Sequence, residues 1–132
     1  MITNADLTVY NRVFNAETKL DEYRRTVIKG IWWFVKNRRT LTDNGLVAAD
    51  EYYVRIPYHA DFGGKKFVPP KDWTGDPDTW TLQANDHIVK GVCLLEIEKP
   101  SDLKKEATDT FRVLSWGNDD FGHSPHFRVQ GV

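Results

Sequence analysis

"YRRTVIKGIWWFVKN", residues 23–37, is the stretch on which the fold turns. Its residues are largely β-branched and aromatic, which suits a pleated strand. Gly30 sits in the middle, where a glycine marks a bulge or a barrel corner at which the strand bends. Before Gly30 polar and apolar residues mix. After it Ile31, Trp33 and Val35 fall on one face, and Trp32 and Phe34 on the other. A strand apolar on both faces is either central in a closed structure or covered by another subunit.

The flanking segments are read in the same way. "LTVYNRVF" (7–14) alternates with period two and predicts a half-buried strand, and "NAETKLDEY" (15–23) reads as a loop or short helical turn. "TDNG" (42–45) signals a turn, and "EYYVRIP" (51–57) alternates Tyr53, Arg55 and Pro57 with Tyr52, Val54 and Ile56. From Tyr58 to Asp78 the chain carries "GG", "PP" and "TGDPD" and reads as an unusually long loop. Phe62, Phe67, Trp73 and Trp80 are out of place in a disordered linker. The expectation is a projecting arm at about 58–80 whose aromatics dock on something.

"WTLQANDHIVKGV" (80–92) reads as two short strands around a turn. "KPSDLKKEATD" (99–109) has Pro100, Ser101 as N-cap and Asp102 in the first turn, with Leu103 and Ala107 the only apolar positions of a short surface helix. "TFRVLSW" (110–116) and "HFRVQGV" (126–132) close the chain as a strand pair. The sum is a single all-β domain over residues 1–132, a small β-barrel or sandwich of five to seven strands with one short helix and a long projecting loop.

The totals exclude several function classes. A net charge of −1 gives no global attraction to nucleic acid or anionic lipid. Cys93, the only cysteine, has no intramolecular disulfide partner, and no charged start leads into an apolar run, so an intracellularly made soluble domain is expected. "IWWFV" (31–35) is too short to span a bilayer.

Candidate chemistry is sparse. "GNDDFGHSPHFRV" (117–129) holds His123 and His126 after Asp119 and Asp120, but Pro125, Gly117 and Gly122 forbid the helix that would put both histidines on one face. The stretch reads as a hairpin loop, "GNDDFG", with His126 starting the last strand. Cys93 lies in the apolar run "KGVCLLEI", where an inert thiol is the default, and Glu96 and Glu98 read as solvent-facing strand charges. "GG" at 63–64 before Lys65 and Lys66 lacks the spacing of a phosphate loop. No catalytic, cofactor or metal site emerges. Five Trp, five Tyr and seven Phe exceed what one small core needs, and such residues are enriched at the energetic centres of interfaces. Trp32, Trp33, Phe34, Phe62, Phe67, Trp73 and Trp80 are therefore the candidate subunit interface.

In order along the chain, "ITNADLTVYN", "YRRTVIKGIWW", "GLVAADEYYVRIP", "GGKKFVPP", "WTLQANDHIVKG" and "FRVLSWGNDDFGHSPHFRVQG" resemble a family of small proteins encoded in phages and prophages of Gram-positive bacteria. The second half is similar to the broader group of phage head-closure (head–tail joining, or stopper) proteins. The matching residues are Asp86 in a polar turn, His87 to Val89, Gly91, Phe111 to Ser115, and His126 to Val129. The 58–80 segment and the 99–109 helix depart from that group and leave stopper, other neck component and tail-completion protein open. The resemblance implies a β-barrel without enzymatic activity or cofactor, forming a homo-oligomeric ring in the virion neck. Its partners would be a portal or adaptor ring and tail proteins, with DNA passing through the channel without specific binding and no membrane involved. A different class also fits: a small nucleic-acid or ligand-binding barrel using Arg24, Arg25, Arg38 and Arg39 with Trp32 and Trp33 as a stacking face. A metalloenzyme built on His123, His126, Asp119 and Asp120 comes last.

Overall fold

The computed structural model describes residues 2–42, 45–106, 109–119, 122 and 124–132, with the backbone alone described at 38–42, 46–49 and 104–106. Six strands, β1 (Ala5–Asn15), β2 (Leu20–Thr42), β3 (Gly45–Pro57), β6 (His87–Lys90), β7 (Thr110–Asp119) and β8 (His126–Gly131), close an antiparallel barrel in the order β1-β2-β3-β8-β7-β6. Two-residue strands β4 (Lys66–Phe67) and β5 (Thr79–Trp80) pair in parallel beside it, and α1 spans Ser101–Glu106.

Gly30 is the corner that the sequence pattern indicates. Asp6 pairs with Lys29 and Ala5 with Ile31, so Gly30 is the extra residue of a bulge, at φ +85°. Its N–H donates to the Asp6 carboxylate at 3.0 Å. Thr26 and Ile28 face inward before the bulge; Ile31 and Trp33 face inward after it. One inserted residue thus shifts the alternation by one step, and β2 passes from pairing with β1 to pairing with β3 at Trp32.

β2 and β3 also run beyond the barrel. β1 leaves β2 at Ile31, and β8 leaves β3 at Tyr52, yet β2 and β3 stay in register out to Thr42 opposite Gly45. Among the described residues, 36–42 and 45–51 therefore form a two-stranded ribbon that no third strand joins. Asp43 and Asn44, the centre of the expected turn, lie outside the described residues. Residues 15–23, expected as a loop or helical turn, instead form the end of β1, a tight turn and the start of β2. Asn15 Oδ1 caps that turn by accepting from the Glu17 N–H at 2.9 Å.

The expected projecting arm does not project. Residues 58–80 fold over one end of the barrel, where Trp80 is 0% exposed. Its ring centroid lies 5.0 Å from Phe62, 4.9 Å from Phe67 and 5.7 Å from Phe127. Backbone bonds between Lys29 and Asp61 at 2.9 and 3.1 Å tack the segment to β2. The cause is area: these aromatics leave water by covering their own barrel as effectively as by covering a neighbour's.

The interior is a single cluster that includes Leu7, Val9, Ile28, Trp33, Ile56, Phe111 and Val129. A second, smaller cluster of Tyr10, Val89, Ile97 and Leu103 lies outside the β1–β6 wall, under α1 and the chain leading to it. β1 is consequently buried on both faces from Leu7 to Asn11, not half-buried. Residues 92–98, expected to place strand charges at Glu96 and Glu98, are irregular and wrap this wall. Tyr10 Oη donates to the Leu95 carbonyl at 2.7 Å, and Cys93 N–H donates to Thr8 Oγ1 at 2.9 Å. In α1, Leu103 is buried, the Asp102 carboxylate accepts from Glu98 N–H at 3.1 Å, and Ala107 lies outside the described residues.

Two substitutions test this account by chemical denaturation. Trp80→Ala is expected to cost about 3–5 kcal/mol, as for a core aromatic; a free arm would show no loss. Gly30→Val, forcing a β-branched residue to positive φ, is expected to cost about 1–3 kcal/mol.

Candidate interaction surface

The register that closes the barrel also builds its outer face. Trp32 lies opposite Arg55, and Phe34 opposite Tyr53. Arg55 in turn lies opposite Arg128, and Tyr53 opposite Gln130. Because Trp33, Val54 and Val129 fill the interior, their neighbours Trp32, Phe34, Tyr53, Arg55 and Arg128 must face out.

The result is a preorganised aromatic and cationic groove of about 280 Å³. Trp32 and Phe34 stack with ring centroids 5.6 Å apart and planes 6° from parallel. Tyr53 tilts onto Phe34 at 6.2 Å, and the Arg55 guanidinium sits 5.0 Å from the Trp32 ring centroid. Phe34 remains 46% exposed. Arg128 is held by both oxygens of Asp119 at 3.1 Å, and the Tyr53 hydroxyl donates to Glu51 at 2.7 Å.

The candidate interface residues separate accordingly. Trp33 and Trp80 are core and are not available to a neighbour. Phe62 and Phe67 pack against the core, and Trp73 is half-buried, with its indole N–H donating to Thr79 Oγ1 at 3.1 Å. Trp32 and Phe34 stay at the surface. Tyr53, Arg55 and Arg128 join them although sequence reasoning passed them over. The alternation of "EYYVRIP" carried the signal for Tyr53 and Arg55, but only the register sets them beside Trp32 and Phe34.

The other chemical candidates acquire structural roles. His126 starts β8 as expected; its Nε2 lies 3.2 Å from Asp119 and its Nδ1 2.9 Å from the Ser124 carbonyl oxygen. Gly117, Asn118 and Asp119, expected in the hairpin loop, belong to β7, while Asp120 and His123 lie outside the described residues. Among the described residues no three His, Cys, Asp or Glu side chains group to hold a metal ion. Cys93 is half-buried rather than fully enclosed, with Tyr10 Oη 3.2 Å from its sulfur. Burial, and then the Cys93 contact, push the Tyr10 phenol up. Lys65 turns inward and donates to the Arg25 carbonyl at 2.6 Å, and burial lowers its ammonium from the usual lysine range.

The most strongly set polar group is Asp86, which is 2% exposed. Its carboxylate accepts from Asn11 Nδ2 at 2.9 Å, Arg12 N–H at 3.1 Å and Gln83 Nε2 at 3.2 Å. Asn11 also exchanges bonds with the Thr81 backbone at 2.7 and 3.2 Å, and Asp86 O accepts from Val113 N–H at 2.8 Å. The network ties β1 to the 81–86 turn and to β7. Burial raises the Asp86 carboxyl from 3.8 to about 6, opposed by the hydrogen bonds from Asn11, Arg12 and Gln83. The folded chain therefore binds this proton more tightly than the unfolded one. Its contribution to stability is full below about pH 4 and is lost as the pH rises through about 6. Urea unfolding from about pH 4 to pH 6.5 is expected to show this loss, and the difference in slope between wild type and Asp86→Asn isolates it.

No curated protein and no solved structure matches the chain. A family model matches residues 2–132, nearly the whole length. The barrel with its aromatic outer groove is thus a member of the family of unknown function DUF6751.

Proposed function

We propose that the chain is a non-enzymatic building block of a tailed-phage virion, a ring-forming subunit at the junction of head and tail. The observation that carries the assembly part of this reading is the β2–β3 ribbon. Among the described residues the strand pairing of 36–42 and 45–51 is with one another, and the ladder ends at the outer edges of the two limbs. A two-stranded ribbon is marginally stable alone, and an open edge is a template for another strand. The edges differ in sequence: Lys36, Arg38 and Arg39 lie along the β2 limb, and Asp50 and Glu51 along the β3 limb. Unlike edges favour a head-to-tail contact, which closes into a ring when its rotation does.

The resemblance of the ordered segments to small phage and prophage proteins, and of the second half to phage head-closure proteins, supplies the setting, with a portal or adaptor ring on one side and tail proteins on the other. A near-neutral chain lets DNA pass without binding it. The second reading, a binder of single-stranded nucleic acid, is favoured by the cations Lys36 and Arg55 beside Trp32 and Phe34.

The test is made in a strain that produces tailed particles encoding the chain. Peptide mass spectrometry of purified particles is expected to detect it, and deletion is expected to leave DNA-filled heads and separate, normal-length tails. Its absence from the particles would overturn the reading. Deletion that leaves finished heads but malformed tails would move the chain to tail completion.

A further inference from the structure

We draw no further inference here: the strongest candidate, the aromatic and cationic groove on the outer face of β2, β3 and β8, carries nothing further because nothing in the structure shows what covers it.

Discussion

The extra residue at Gly30 is the constraint on which the rest of the barrel depends. A strand presents alternate residues to alternate faces, so a single insertion exchanges inside for outside along everything that follows. At φ +85° the inserted residue is a glycine, and its N–H is taken up by Asp6 rather than left unpaired. From that point β2 belongs to a second wall. Trp33 enters the core where it meets Phe111 at 5.4 Å, and Trp32 and Phe34 are delivered to the surface. Core and groove are set by the same step.

Closing the barrel leaves two regions that its six strands do not cover. One end is sealed by the 58–80 segment through Phe62, Phe67 and Trp80. The outer wall of β1 and β6 is sealed by α1 and residues 92–98 through Tyr10, Ile97 and Leu103. Both seals rely on aromatic or long aliphatic side chains from segments with little regular structure. Specific polar ties fix where those segments lie, Asp61 with Lys29 and Lys65 with Arg25 at one place and Tyr10 with Leu95 at another. An irregular segment that must cover a core needs such ties, because it has no ladder of its own to set its register.

What remains exposed is organised. The hairpin tip lies at one end of β2, the longest strand, the ribbon at the other, and the groove beside its middle. Side chains fill the barrel interior among the described residues, and the groove lies on its outer surface. Aromatic rings prestacked before any partner arrives lose little side-chain freedom on binding.

The sequence by itself determined the all-β class, the position of the corner, the two faces of residues 31–35 and the start of the last strand. Each of these is local: period two, a glycine within an apolar strand, and turn residues at fixed places. It also flagged the aromatic surplus, but it could not say which aromatics were surplus. Trp33 and Trp32 are adjacent and chemically identical, as are many core and surface rings, and the split between them follows from the register of β2 against β3. The destination of Phe62, Phe67 and Trp80, the two-faced burial of β1, and the meeting of Trp32, Phe34, Tyr53, Arg55 and Arg128 were decided only by the tertiary structure. Burial rewards any surface that removes an apolar side chain from water, and which surface is available depends on pairings between residues far apart in the chain.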